Sequence, residues 1–294
     1  MMKLAFLGLG VMGFPMAGHL SQAGFDITVY NRTLKKSECW LQSYRGHSAL
    51  TPSEAVRSAD IVFACVGDDS NLRDITLGEQ GAYDGMKPGA FFVDHSTVSA
   101  EVSRELAGIA ESLGLGYLDA PVSGGQQGAE KAELTVMVGG EANDFSVVKP
   151  VIEHYAREVM LMGPVGNGQL CKMVNQICVA GLLEGLAEGL NFAEAAGLDV
   201  DQVVQVISKG AAQSWQMENR YKTMTAGEYN NGFAVDLMRK DLSIAMKEAS
   251  LNGAKLPVTE LVDQYYADVQ AMGGNRWDTS SLLARLKLSY EHDE

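Results

Sequence analysis

KLAFLGLGVMGFPMAGHL, residues 3–20, decides how the rest of the chain is read. The apolar run KLAFL predicts a β-strand, and glycines at 8, 10 and 13 follow it directly, ahead of a helical stretch. Each glycine has its own reason to lack a side chain. Gly8 permits a tight turn, Gly10 lets a pyrophosphate approach the backbone, and Gly13 lets helix pack close on strand. Unpaired N–H groups at the helix start, and the helix dipole, attract phosphate. Gly8, Leu9, Gly10, Val11, Met12 and Gly13 are therefore the expected phosphate loop of a dinucleotide site.

A second strand, DITVY at 26–30, runs into Asn31, Arg32 and Thr33, with Lys35 and Lys36 behind them. Asn31 falls 23 positions after Gly8, where an acid would bond the ribose hydroxyls of NAD and repel the 2′-phosphate of NADP. Asparagine removes that repulsion, and Arg32 can hold a phosphate bidentately. The competing reading is local: Thr33 caps a helix and the lysines are solvated. Cations in a first helical turn oppose the dipole by ~0.3–1 kcal/mol each, a cost that a bound phosphate would reverse. On that balance the stretch selects NADP over NAD.

The 294 residues, 46% hydrophobic and 20% charged, are enough for two domains of ordinary size. Acidic residues outnumber basic ones by 37 to 23, and the formal charge of −14 repels nucleic acid and anionic membrane surfaces. An anionic ligand must then be held by local cations, which makes three of them within residues 32–36 informative. Cys39, Cys65, Cys171 and Cys178 have neither CxxC spacing nor a zinc pattern with the histidines, so a reduced cytoplasmic protein without metal is expected. The apolar N-terminus is punctuated by glycine and enters a strand at once, unlike a signal peptide.

Short β-rich runs continue at 60–66, 90–94, 134–138 and 158–162, alternating with amphipathic stretches. That rhythm predicts an α/β fold, a doubly wound, largely parallel Rossmann-type sheet covered by helices. After GPVGNG (163–168) the strands stop and one long helix is expected to about residue 197. It is apolar, but Lys172, Glu184, Glu188 and Glu194 interrupt it, as suits a buried interface helix better than a membrane span. Further helices are expected at 199–209, 235–252, 257–272 and 280–290. The predicted organisation is a Rossmann domain over 1–165, an interdomain helix over 166–196 and an all-α domain over 197–294.

Open α/β sheets bind ligands at the carboxyl ends of their strands. CVGDD (65–69) puts Val66 near the adenosine or pyrophosphate, and DHSTVS (94–99) puts Ser96 or Thr97 near the nicotinamide. Ser96 or Ser99 could equally cap the helix that follows. In DAPVSGG (119–125), Ser123, Gly124 and Gly125 offer a hydroxyl and open N–H groups to a carboxylate, although a polar turn would look the same. GNGQLCKMVNQ (166–176) sets Lys172 in the second turn of the long helix, with Asn175 and Gln176 on its face. A lysine buried near a positive helix end releases its proton more readily than one in water, as an acid/base needs. Snorkelling to solvent or pairing with an acid is the alternative. LMRKDLSIAM (237–246) reads by itself as an ordinary solvated helix face.

Together these pieces resemble the β-hydroxyacid dehydrogenase family nearly end to end. The carriers are GLGVMGFPMAGHL (8–20), NRT (31–33), DHSTVS, DAPVSGG, the GxGxxxK pattern at 166–172 and KDL (240–242). The resemblance implies a Rossmann domain, a long interdomain helix and a helical C-terminal domain, in a homodimer or homotetramer. It implies that Lys172 is the catalytic acid/base, that Ser123, Gly124, Gly125 and Asn175 hold substrate, and that Thr97 and Lys240 contact cofactor or substrate. Members carry Asn three or four residues after the lysine; here Asn175 precedes Gln176, and both remain candidates. His19 replaces a common Asn and bears on helix packing. The implied reaction is NADP-dependent hydride transfer between a small β-hydroxyacid and its semialdehyde, such as glyoxylate, succinic semialdehyde, tartronate semialdehyde or 3-hydroxyisobutyrate. A 6-phosphogluconate-type decarboxylase shares the lysine helix but usually has a much longer C-terminal domain. A non-catalytic nucleotide-binding scaffold of this fold tends to lose the lysine.

Overall fold

In the computed structural model, which describes residues 2–230 and 232–289, the chain divides after Lys172 into two compact units. The first begins with β1 (Lys3–Leu7), α1 (Gly13–Gln22), β2 (Asp26–Tyr30), α2 (Leu34–Ser43) and the two-residue β3 (His47–Ser48). Next come α3 (Pro52–Val56), β4 (Ile61–Ala64), α4 (Asp69–Leu77), α5 (Ala82–Gly85), β5 (Phe91–Asp94) and α6 (Ala100–Ser112). The unit's last strands and helices are β6 (Gly116–Asp119), β7 (Val122–Ser123), α7 (Gly125–Glu130), β8 (Leu134–Gly139), α8 (Ala142–Ile152) and β9 (Ala156–Gly163).

The sheet order is β3-β2-β1-β4-β5-β6-β8-β7, with β9 pairing β8. β1 pairs in parallel with β2 on one side and β4 on the other, so the winding reverses there. That switch point opens the crevice into which the glycine loop projects. The strands are buried on both faces because helices cover both. Leu4, Phe6, Ile27, Val29 and Phe63 face Met16, Leu20 and Trp40, while the alternate residues Ala5, Leu7, Val62, Ala64 and Phe92 face Val56, Leu72, Val102 and Leu106.

All six expected runs form strands, but the far edge is less parallel than their rhythm suggests. β8 is antiparallel to β6 and β7 and parallel only to β9. β3 and β7 escape sequence reading because two residues carry no alternation. Each is a strand only through a neighbour's ladder.

Helix α9 (Asn167–Ala195) starts in the first unit and runs on through the second. There follow α10 (Val200–Ile207), α11 (Trp215–Thr225), α12 (Val235–Asn252), α13 (Pro257–Ala271), a 3₁₀ turn at Thr279–Ser281 and α14 (Leu282–Ser289). The expected last helix reaches residue 290, which lies outside the described residues. Leu183, Ala187 and Leu190 of α9 enter a core with Val204, Met217, Met238, Leu242, Val262, Tyr266 and Leu282. Among the described residues α9 alone is long and apolar enough to cross a membrane, and this packing accounts for the apolar face. α11 was not expected from the sequence: of its eleven residues only Met217 and Met224 are buried, too sparse a stripe to read.

Candidate active site

The glycine loop separates into positions that serve the protein and one that faces open space. Gly8 has φ of +101°, and a Cβ there would collide with the Cys65 carbonyl. A Cβ on Gly13 would strike the Gly8 carbonyl, whereas one on Gly10 would meet nothing within 4 Å. No side chain caps the start of α1. Open space before an uncapped helix N-terminus fits a pyrophosphate. Leu9, Val11 and Met12 complete this loop, Val11 being exposed.

Asn31 does more than leave out an acid. Its Oδ1 accepts the Leu9 N–H at 2.9 Å and its Nδ2 donates to the Thr33 carbonyl at 3.1 Å, joining the phosphate loop to the turn after β2. Thr33 stands at the N-cap of α2, yet its side chain makes no capping bond. Arg32, Lys35 and Lys36 are exposed, and among the described residues none of them forms an ion pair. His19, on α1, places Nε2 3.0 Å from the Ala129 carbonyl and 3.1 Å from that of Glu130, a packing link to α7.

At the neighbouring strand ends, Ser99 takes the capping role: its hydroxyl accepts the Val102 N–H at 3.1 Å. Ser96 does not cap. Its hydroxyl accepts the Val66 N–H at 2.9 Å, tying the loop after β4 to the loop after β5. Thr97 lies between two residues held by Gln169, whose Nε2 donates to the Ser96 carbonyl (2.8 Å) and whose Oε1 accepts the Val98 N–H (3.2 Å). Asp119, closing β6, accepts the Gly166 N–H at 2.7 Å and the Gln169 N–H at 2.9 Å, and so caps α9. Burial raises its carboxyl above 3.8, opposed by these backbone bonds. Lys172, one turn past Gln169, is 7% exposed.

Ser123 ends β7, and Gly124 and Gly125 follow at φ of +131° and +61°, backbone that only glycine adopts cheaply. The segment leading to them is braced by His95. Its Nδ1–H donates to the Ala120 carbonyl at 2.6 Å, so its Nε2 accepts the Tyr155 hydroxyl at 2.7 Å. Burial pushes this imidazole down to about 4, which keeps it neutral.

In the second unit, a polar chain joins α9 to α12. Asn175 Nδ2 donates to Gln176 Oε1 (2.8 Å), Gln176 Nε2 donates to Asp241 Oδ2 (2.7 Å), and Lys240 Nζ lies 3.0 Å from Asp241 Oδ1. Gln176 and Asp241 are buried, Gln176 with both ends of its amide engaged, while Asn175 is half-buried.

Sequence reading passed over Asp119, Gln169 and Asp241 although each lies inside a quoted motif. Their hydrogen-bond partners Gly166, Ser96, Val98 and Gln176 are 47 to 73 residues away, beyond any local pattern. An acid ending an apolar strand, and an amide one turn before the lysine, were the only signals.

Two family models match the chain. One, described as the NAD binding domain of 6-phosphogluconate dehydrogenase, covers residues 3–163; the other, described as NAD-binding of NADP-dependent 3-hydroxyisobutyrate dehydrogenase, covers 166–286. An uncharacterized oxidoreductase of Shewanella frigidimarina is 63% identical, over 98% of this chain and 99% of that protein. The 2-hydroxy-3-oxopropionate reductase of Escherichia coli is 36% identical, over 99% of both chains. The solved structure of Mycobacterium tuberculosis 3-hydroxyisobutyrate dehydrogenase with L-serine superposes with a TM-score of 0.86 at 30% identity, covering 97% of this chain and 99% of that one.

Proposed function

Because the chain belongs to the β-hydroxyacid dehydrogenase family of nicotinamide-dependent oxidoreductases, we propose that it interconverts a small β-hydroxyacid and its semialdehyde with NADP(H). The observation that carries this reading is Lys172, a buried amine in the second turn of a helix whose start is bonded to the carboxyl end of β6. In the direction of reduction, its ammonium gives a proton to the oxygen that develops negative charge as the carbonyl is reduced. In oxidation the neutral amine takes the proton back. The nicotinamide supplies or accepts the hydride when bound, and the residues that would hold the cofactor are the 8–13 loop, Asn31, Arg32, Thr33, Val66, Thr97 and Lys240.

Ser123, Gly124 and Gly125 hold the substrate carboxylate with one hydroxyl and backbone N–H groups, and Asn175 adds an amide. Fixing the carboxylate fixes the carbonyl beside Lys172 and lowers the entropic part of the barrier. Preference for NADP rests on the neutral carboxamide of Asn31 where an acid would stand, and on Arg32, Lys35 and Lys36 at the uncapped start of α2. The substrate is drawn from C2 to C4 aldehyde acids. Self-association is part of the reading, supported by Phe192, Leu198 and Val206, large apolar residues exposed on the second unit.

A panel of glyoxylate, succinic semialdehyde, tartronate semialdehyde and methylmalonate semialdehyde, each with NADPH and NADH, tests it. Turnover favouring NADPH, without CO₂ release, is expected. Lys172→Ala should lower kcat by orders of magnitude while NADPH binding persists. Near-normal turnover by that variant removes the acid/base assignment, and preference for NADH removes the cofactor claim.

A further inference from the structure

Gln169 is fully buried and uses its backbone and both ends of its side chain at once. Its N–H donates to Asp119 at the end of β6, its Nε2 donates to the Ser96 carbonyl, and its Oε1 accepts the Val98 N–H. The two side-chain bonds fall on either side of Thr97, so the amide acts toward the β5–α6 loop as a neighbouring strand would. Ser96 in turn holds Val66 through its hydroxyl, which extends the brace to the loop after β4. Three residues along α9 is about 4.5 Å of rise, so the braced turn is the one directly beneath Lys172.

We infer that Gln169 is a positioning residue: it locks the peptides flanking Thr97 to the turn of α9 that carries Lys172, and thereby sets where the proton donor stands against the strand-end loop. This rests on Lys172 being the acid/base. A primary amide is the one side-chain group of this length that presents a donor and an acceptor together. Glutamate matches it only while protonated, the form that burial favours; ionised, it keeps the acceptor for Val98 but sets a charge against the Ser96 carbonyl, and methionine keeps the shape and loses both bonds at any pH.

The test uses the whole chain and two readouts. Amide hydrogen exchange on the cofactor-free protein reports the Val98 N–H, and steady-state reduction of the best of the four aldehyde acids by NADPH reports kcat and KM. In Gln169→Met, Val98 should lose protection while β1 and β4 keep theirs. Displacement on the ~1 Å scale should lower kcat by about ten- to a hundredfold. NADPH affinity, read by fluorescence, should fall by less than kcat does, since the 8–13 loop and its bond to Asn31 are untouched while the loops carrying Val66 and Thr97 lose their brace. At low pH, where the carboxylic acid still donates to Ser96, Gln169→Glu should keep Val98 protected and recover part of kcat relative to the wild type at the same pH. Both should be lost as pH rises, a pH-dependent rescue that general loosening of the core would not produce; this profile also serves if the methionine variant fails to fold. Wild-type kcat in Gln169→Met, or protection at Val98 unchanged, overturns the inference. If Lys172→Ala remains active, or none of the four acids turns over with the wild type, the acid/base reading itself has failed. An inactive Lys172→Ala beside an unaffected Gln169→Met condemns the positioning role alone.

Discussion

Replacing Asp119 with asparagine probes how α9 is anchored. The carboxylate accepts two buried N–H groups, Gly166 at 2.7 Å and Gln169 at 2.9 Å, one on each oxygen. Asparagine has a single acceptor oxygen, so one N–H loses its partner and faces an NH₂ group, at a cost of about 1–3 kcal/mol. Removing the negative charge from a helix N-terminus costs a further ~0.3–2 kcal/mol. Part of this is recovered, because burial already disfavours the charged form and holds the carboxyl above 3.8. The expected net loss is roughly 1–3 kcal/mol, rising in Asp119→Ala, where both N–H groups lose their partner. Trp40, fully buried in the first unit, reports its unfolding in urea once Trp215 and Trp277 are changed to phenylalanine. A loss under about 0.5 kcal/mol in both variants would refute the cap, because two orphaned buried donors cannot be that cheap.

Asn31→Asp keeps the acceptor for Leu9 but puts a charge beside Arg32 and repels the Thr33 carbonyl, so the ratio of kcat/KM for NADPH over NADH should fall about tenfold or more. A change below about twofold would mean that residue 31 does not face the 2′-phosphate. Glu184 gives a pH dependence. Both its oxygens are buried without a hydrogen-bond partner among the described residues, and burial pushes its carboxyl from 4.5 up to about 7, against the pull of Arg285. The folded chain therefore binds more protons than the unfolded one between these values, so this contribution is full below about 4.5 and lost as pH rises through about 7, by roughly 3 kcal/mol at most. Glu184→Gln should flatten that slope in thermal melts at pH 5 and pH 8, and an unchanged slope would show that the group is not the source.

Much of the site was legible because its signals are local. The GxGxxG loop, the missing acid at 31 and the lysine in the second turn of a long helix are patterns of spacing along one strand or helix. Thr33 shows where such reading stops: it occupies the N-cap as its residue type suggests, yet its hydroxyl makes no cap. Ser96 and Ser99 could not be told apart by sequence, and the structure separates them by their partners, Val66 for one and Val102 for the other. Gln176 was a ligand candidate by helix phase, and nothing in its own helix announced that Asp241, 65 residues on, bonds its amide.

By itself, the sequence determined the order of the main strands and helices, the glycine loop after β1, the charge at the end of β2 and the lysine of the long helix, because backbone sterics, side-chain periodicity and net charge act over a few residues. Only the tertiary structure decided which polar groups serve the protein's own scaffold. Asp119 capping a helix 47 residues away, and Gln169 bonding a loop more than 70 residues earlier, exist because folding brings separate strand ends to one edge of the sheet. There each buried N–H and carbonyl must find a partner wherever in the chain it lies.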